Sequence, residues 1–307
     1  MRRRQCGDGV MHIYQKTLLG FNLFYTLEDF LVFFTIISVQ ARQLNVSLMA
    51  MCMMIDHIHL LIMPDNLKQV SRFMSACLSR YVKEFNARTG RSGALFDPRY
   101  GSAMKKDGKK IRSAIAYLFN NAVEKHLCKK AEDYKWNFLS YFMPLKVKKS
   151  EWRRYMSRAL YRAVTVIDET YEKGRHIKYA LLETLRKDLN NNEQNILTDY
   201  IIRKYFPFDI QKTIGYFKSF EDMVVAINSN TGSEYEIIEH HYCKTDVPYR
   251  EIIRCLMESG IKDPRSLITA SSEQKRQYFS FLKHHTSATH VQIRKFLHIE
   301  NEQQINH

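Results

Sequence analysis

Hydrophobic residues in the first half of the chain follow patterns that predict three strands. Residues 10–17 have strand character, and residues 46–54 and 57–63 are nearly continuous apolar runs. Runs of this kind are typical of central strands that are buried on both faces of a sheet. Pro64 ends the third run. The pattern therefore predicts a sheet that contains at least these three strands.

Three further segments show helical spacing. The sequence at residues 26–29 has the form of a capping box, so it predicts a helix over residues 26–44. Apolar spacing predicts a second helix over 67–87 and a third over 109–127. A short strand at 99–104 completes the order β-α-β-β-α-β-α, which fits an α+β domain around an antiparallel sheet.

The character of the sequence changes near residues 141–150, where a proline and several lysines indicate a linker. Beyond it the spacing is helical. The sequence thus predicts a first domain over 1–145, a helical middle region over 146–246 and a helical module over 247–307. Residues 287–297 resemble the first helix of a helix-turn-helix.

Charge is distributed unevenly along the 307 residues. The chain carries 47 Lys and Arg against 32 Asp and Glu, a net charge of +15. Residues 1–150 hold 24 basic and 11 acidic side chains, whereas residues 151–307 hold 23 and 21. This concentration in the first half favours a nucleic-acid partner over a generic solubilising surface.

Other sequence features exclude several classes of protein. None of the six cysteines forms a CxxC pair, which is typical of reduced intracellular thiols. The longest apolar stretch, residues 30–39, has about half the length needed to cross a bilayer. The absence of GxSxG, P-loop and GxGxxG motifs argues against serine hydrolases, NTPases and dinucleotide enzymes. We expect a soluble cytoplasmic protein without a membrane partner.

Two histidines interrupt the third apolar run. Alternate side chains of a strand share a face, so His57 and His59 are expected to point the same way. Two imidazoles on one rigid face can hold a divalent metal and leave positions open for substrate. Burying unpaired imidazoles costs stability, which favours a functional role. On spacing alone, metal binding and ordinary structural histidines remain equal alternatives.

The strand ending in His-Ile-His-Leu-Leu resembles the HUH motif of single-tyrosine transposases. Supporting stretches occur in the order expected for that family, at residues 12–14, 91–100, 117–123, 260–265 and 292–297. The chain is similar to the REP-associated tyrosine transposase family and its insertion-sequence relatives over most of residues 10–130 and 247–300. The resemblance implies a ferredoxin-like HUH domain with a central antiparallel sheet, followed by an all-α C-terminal region.

The resemblance also implies a nucleophile. In the family this is a tyrosine on the helix after the last core strand, which corresponds to Tyr117, with Tyr100 and Tyr81 as weaker alternatives. Its hydroxyl would attack a DNA phosphate and form a 5′-phosphotyrosine, and a 3′-OH could reverse that step. The implied activity is metal-dependent cleavage and joining of single-stranded DNA at hairpin or repeat sequences, as in a transposase.

A metal site of two histidines and an amide follows from the same resemblance. Asn121 lies one helical turn beyond the tyrosine, and Asn120 replaces it if the helix register differs. With His57 and His59 this amide would hold Mg²⁺ or Mn²⁺. Asp56 stands where family members often have asparagine, and strand alternation predicts that it faces away from the histidines.

Basic and aromatic residues around the tyrosine helix are the predicted DNA contacts. Cations position phosphates and make binding salt-dependent, and aromatic rings stack on exposed bases. The predicted set is Arg88, Arg91, Phe96, Arg99, Tyr100, Lys105, Lys106, Lys109, Lys110 and Arg112.

The expected partner is single-stranded or hairpin DNA. A monomer is favoured, because the extra helical region, absent from the shortest family members, could block a dimer interface, and a swapped dimer stays the alternative. Two alternatives remain: a domesticated DNA-binding protein that no longer cuts, and an RNA-binding protein that uses the same surface. The enzyme is favoured because the histidine pair, the amide and the tyrosine occur together.

Overall fold

A four-stranded antiparallel sheet forms the centre of the first domain. The computed structural model describes residues 9–143, 156–229 and 245–300. The strands lie in the spatial order β2-β3-β1-β4. They are β1 (Val10–Lys16), β2 (Ser47–Met53), β3 (His57–Met63) and β4 (Gly101–Lys105). Most of the predicted linker lies outside the described residues.

The register of the two central strands determines which side chains meet on one face. Strands β1 and β3 pair with Tyr14 opposite His59 and with Lys16 opposite His57. Because side chains alternate along a strand, His12, Tyr14 and Lys16 lie on the same face as both histidines. The polar residues of this face therefore come from two neighbouring strands.

Three helices of the first domain occur between or after the strands in the predicted order. Helix α1 (Leu27–Gln43) begins at the predicted capping box and packs on α2 (Leu67–Thr89). Helix α3 (Gly108–Glu124) follows β4 and packs against β2 and β3. The connection order β-α-β-β-α-β with these strand neighbours is the predicted α+β, ferredoxin-like arrangement.

The described chain beyond α3 is helical, as predicted. Its helices are α4 (Arg158–Glu172), α5 (Tyr179–Arg186), α6 (Asn191–Lys204), α7 (Ile210–Ile214), α8 (Phe220–Asn228), α9 (Val247–Glu258), α10 (Ser272–His285) and α11 (His290–Leu297). Helix α11 is the segment predicted to open a helix-turn-helix, and any helix beyond residue 300 lies outside the described residues. Within the described ranges no helix is long and apolar enough to cross a membrane.

Residues 245–300 pack against the first domain through buried polar contacts. The guanidinium of Arg265 forms an ion pair at 2.9 Å with Asp29, a fully buried carboxylate on α1. The hydroxyl of Tyr25 donates a hydrogen bond of 2.6 Å to the carbonyl of Phe296 on α11. These contacts place α11 beside the loop that joins β1 to α1.

Candidate metal and nucleophile site

His59 lies at the centre of the site and is 0% exposed. Its Nδ1 is 3.1 Å from Nε2 of His12, and its Nε2 is 3.4 Å from Nδ2 of Asn121. An amide nitrogen only donates, so Nε2 of His59 accepts and the ring proton lies on Nδ1, where it is donated to His12. His59 therefore presents the lone pair of Nε2 towards α3.

Helix α3 brings the predicted tyrosine and amide to this histidine. Nδ2 of Asn121 also donates to the hydroxyl of Tyr117 at 3.3 Å, across one turn of the helix. The rings of Tyr117 and His59 lie edge to face, with centroids 5.7 Å apart. Of the two candidate amides, that of Asn121 therefore bonds to both His59 and the tyrosine hydroxyl.

His57 occupies the first position of β3 and is nearly buried. Its ring lies perpendicular to that of His59, with centroids 5.0 Å apart. Its Nδ1 donates a 2.6 Å hydrogen bond to the carboxylate of Asp56. In the neutral ring with its proton on Nδ1, Nε2 of His57 carries a lone pair.

The structure contradicts the expectation that Asp56 faces away from the histidines. Asp56 precedes β3 and lies in a turn, where strand alternation does not apply. Burial by itself raises the pKa of this carboxyl, but the hydrogen bond from His57 and the charge of Lys295 hold the pKa well below its usual range. Asp56 is therefore an ionised hydrogen-bond acceptor for His57.

The three predicted ligands fit a divalent metal ion. Nε2 of His57 and Oδ1 of Asn121 are buried atoms without a hydrogen-bond partner among the described residues. Native proteins satisfy most such atoms, so these two, with Nε2 of His59, are suitable metal donors. In the described ranges no group of three His, Cys, Asp or Glu side chains could hold a metal. A site here therefore needs the amide.

The two alternative tyrosines, Tyr81 and Tyr100, make their hydrogen bonds to other residues. Tyr81 is buried in the core, where it donates to the carbonyl of Leu23 at 3.2 Å. Burial raises the pKa of its phenol well above the ordinary value. Tyr100 is half-buried, with its hydroxyl 3.3 Å from that of Ser71. The ring contact with His59 distinguishes Tyr117 from both.

Strand β1 contributes two site residues that sequence reasoning missed. His12 bonds to His59, and the ring of Tyr14 stacks on His59 with centroids 4.9 Å apart. Tyr14 also lies edge-on to His57 at 5.3 Å. The signal in the sequence was the alternation of His12 and Tyr14 on a strand predicted to belong to the same sheet.

A cavity of about 560 Å³ opens beside His57. Its volume is in the range of small-molecule and cofactor pockets. One wall belongs to the first domain and includes Lys16 and Lys125, and the other includes Arg294 and Lys295 of α11. The C-terminal residues therefore border the candidate site.

The predicted DNA contacts occupy different environments. Arg88 forms ion pairs with Glu183 at 2.5 Å and Asp263 at 3.1 Å. Arg91 donates to carbonyls of its own loop and to the side chain of Asn86. The members whose side chains are exposed are Arg99, Lys106, Lys109, Lys110 and Arg112.

For two predicted DNA contacts the structure contradicts the prediction. Phe96 is 6% exposed and packs against Phe33 and Tyr81, so its ring belongs to the core and does not present a face to a base. Lys105 is 1% exposed, at the end of β4 opposite Val10. Burial removes both side chains from the surface that DNA would contact.

The first domain is similar to known proteins. Residues 26–121, which include both histidines, the amide and Tyr117, match the family described as "Transposase IS200 like". No curated protein matches the chain. A solved structure of "the REP associates tyrosine transposase bound to a REP hairpin" is similar at 16% identity and a TM-score of 0.38, over 46% of this chain and 82% of that one. Residues 26–121 are therefore similar to the IS200-like transposases, which confirms the resemblance inferred from the sequence.

Proposed function

We propose that the protein cuts and rejoins single-stranded DNA at hairpin or repeat sequences, with Tyr117 as nucleophile. His57, His59 and Asn121 would hold the divalent metal ion, Mg²⁺ or Mn²⁺. The observation that carries the proposal is the contact of one amide, that of Asn121, with both the Tyr117 hydroxyl and the His59 ring. The proposed nucleophile and the proposed metal donors lie together on this buried face.

The chemistry follows from these groups. When bound, the metal would polarise the scissile phosphate and offset charge that develops in the transition state. The oxygen of Tyr117 bonds to phosphorus as the bond from phosphorus to the 3′ oxygen breaks, and the phenol proton ends on that 3′ oxygen. Asn121 orients the hydroxyl for this attack. In the reverse direction a 3′-OH attacks the phosphotyrosine and restores the phenol, so no ATP is needed for joining.

Access to the nucleophile is a condition of this mechanism. Tyr117 is 3% exposed, so a DNA phosphate reaches its hydroxyl only after neighbouring side chains move. The exposed cations around the start of α3, among them Lys106, Lys109 and Arg112, support a role in binding the phosphates of the approaching strand. They lie on the helix that carries the nucleophile or directly before it.

A single chain supplies the tyrosine, the amide and both histidines. Tyr117 contacts His59 of its own chain. This supports the proposal that the protein acts as a monomer, with the tyrosine used in cis. A dimer that exchanges its tyrosine helix would have to break the bond between Asn121 and His59.

A denaturing-gel assay with labelled single-stranded hairpins from repeats around the gene tests the proposal. Wild type should form a covalent protein–DNA adduct in Mn²⁺ and none in EDTA. Tyr117→Phe should form none, whereas Tyr14→Phe, the matched control beside the same histidines, should retain it. An adduct lost only in Tyr14→Phe would move the nucleophile to β1.

Two other outcomes would favour the alternative functions. Tight binding to hairpin DNA without an adduct in any metal would indicate a domesticated, non-cleaving protein. A clear preference for RNA over DNA of the same sequence would indicate an RNA-binding protein.

A further inference from the structure

Asp56, in the turn before β3, accepts hydrogen bonds at both its backbone carbonyl and its side chain. Its carbonyl accepts hydrogen bonds of 3.1 Å from both the backbone N–H and the hydroxyl of Thr17. Its carboxylate accepts from Nδ1 of His57 at 2.6 Å and from Nζ of Lys295 at 3.2 Å. Two hydrogen bonds thus hold the backbone of Asp56 and two hold its carboxylate, so the orientation of the carboxylate and of the His57 ring bonded to it is constrained.

This constraint determines which nitrogen of His57 is available. An ionised carboxylate accepts only, so Nδ1 carries a proton, and in the neutral ring the lone pair is then on Nε2. Nε2 is buried and has no hydrogen-bond partner within the described residues. Ligating histidines in metalloproteins commonly donate their other nitrogen to a carboxylate, which fixes the tautomer and the ring orientation.

Lys295 reaches Asp56 from α11, 239 positions along the chain. Its side chain is only 13% exposed, and its carbonyl accepts a 3.2 Å hydrogen bond from the N–H of Asn22. The side chain passes over Gly20, where a Cβ would lie 2.9 Å from Cε and Nζ of the lysine. The loop between β1 and α1 thus leaves a path for this lysine.

We propose that Asp56 and Lys295 are positioning residues for the metal site. Asp56 keeps the proton of His57 on Nδ1, and Lys295 holds Asp56 in place from the C-terminal helix. The inference rests on the proposed function, since it takes His57 as a metal ligand. Its consequence is that the C-terminal segment sets the metal affinity of the first domain without supplying a ligand.

The affinity of the full-length protein for Mn²⁺, measured from the electron paramagnetic resonance of the free ion, tests this proposal. Loss of an outer partner of a ligand typically weakens metal binding about 10- to 100-fold, so Asp56→Asn should weaken it at least about tenfold. Lys295→Met should weaken it by a smaller factor, about threefold to tenfold, and Lys295→Arg should restore most of the loss.

Two matched controls separate positioning from a general change of charge. Asp97→Asn removes another carboxylate of the same cavity, and Lys283→Met removes an exposed lysine of α10. Both should bind Mn²⁺ as wild type does. An unchanged affinity in Asp56→Asn and Lys295→Met, with His57→Gln impaired, would overturn the positioning role and leave the proposed metal site intact.

A measurement without metal distinguishes failure of this inference from failure of the proposed function. In metal-free protein labelled with ¹⁵N-histidine, the His57 signals, assigned by their loss in His57→Gln, should show a protonated Nδ1. Asp56→Asn and Lys295→Met should each increase the tautomer protonated on Nε2. A wild-type ring protonated on Nε2, or a tautomer indifferent to both substitutions, would contradict the inference. Absence of Mn²⁺ binding in wild type would instead contradict the proposed metal site.

Discussion

The two histidines of the site are held by different parts of the molecule. His59 is fully buried, and its contacts with His12, Asn121 and Tyr117 all come from the first domain. His57 lies at the wall of the cavity, and the carboxylate that holds it is bonded to Lys295 of the C-terminal helix. One side of the site is therefore assembled by local topology, and the other also depends on how residues 245–300 dock.

The difference shows how each part of the molecule would affect the proposed reaction. The His59 side carries the proposed nucleophile, so substitutions there should alter the reaction itself. The His57 side faces the cavity between the two segments, so changes there alter the metal and the approach of substrate. The C-terminal segment can thus influence the candidate site without supplying the proposed nucleophile or a proposed metal ligand.

The largest expected effect is the loss of stability when the ion pair that holds the C-terminal segment to the first domain is removed. Arg265→Met removes the cation that pairs with the buried Asp29 carboxylate at 2.9 Å. It also removes the ion pair between Arg265 and Asp263. Burial raises the pKa of Asp29, so the unpaired charge is costly. The free energy of unfolding should fall by about 3–5 kcal/mol. Urea denaturation measures this loss.

Its control is an ion pair on the surface of the same segment. Arg276→Met removes the partly exposed pair with Glu273 and should change stability by no more than about 1 kcal/mol. Equal effects of the two substitutions would mean that the segment is not held to the first domain through Asp29.

Single substitutions of His57 and His59 separate the contribution of each histidine to activity from its contribution to stability. His57→Ala and His59→Ala should each lower the rate of Mn²⁺-dependent adduct formation about a hundredfold or more, because metal stabilisation of the transition state is worth several kcal/mol. His59→Ala should also cost about 1–3 kcal/mol of stability, since it leaves buried partners unsatisfied. His57→Ala should cost less. Single-turnover gels and urea denaturation report the two quantities separately, and an unchanged rate in either variant would remove that histidine from the site.

Much of this arrangement could be predicted because it depends on local periodicity. Alternation along β3 placed both histidines on one face, and helical spacing placed Asn121 beside Tyr117. The capping box at residues 26–29 marked the start of α1. Each of these features is determined by residues a few positions apart, so the sequence carries it directly.

The features of the site that were not predicted depend on contacts between distant segments of the chain. No local pattern relates Lys295 to Asp56, and alternation failed at Asp56 because the residue precedes the strand. Phe96 and Lys105 looked like surface residues in a basic stretch, but tertiary packing buries both. Propensity and spacing do not contain that information.

A pH titration of stability tests the contact between α11 and the β1–α1 loop. His298 is buried, stacks on Phe21 with ring centroids 4.4 Å apart, and bonds to the carbonyl of Asn22. Burial lowers its pKa from 6.5 to about 3. Between these values the unfolded chain binds a proton that the folded chain does not, so stability falls as pH falls, by up to about 1.4 kcal/mol per unit.

The comparison variant is His298→Asn, which suits the left-handed backbone at this position, where φ is 50°. The stability advantage of wild type over this variant should shrink as pH is lowered from about 6.5. A constant difference between pH 7 and pH 4 would show that His298 is not buried in the neutral form.

The smallest expected effect concerns the exposed cations at the start of α3. If Lys109 contacts a phosphate, Lys109→Ala should reduce the slope of log affinity against log salt for hairpin DNA by about 0.7–0.9. Lys283→Ala, an exposed lysine on α10, should leave the slope unchanged. Fluorescence anisotropy over a range of salt concentrations measures both slopes, and identical slopes would place the DNA elsewhere.

The most direct test of the central claim is to locate the covalent bond. Wild-type protein is incubated with hairpin DNA and Mn²⁺, the adduct is digested with nuclease and protease, and the modified peptide is sequenced by mass spectrometry. We expect a nucleotide joined through its 5′ phosphate to Tyr117, the tyrosine in contact with both Asn121 and His59. A modification on Tyr14 or on another residue would contradict the assignment of α3 as the nucleophile helix.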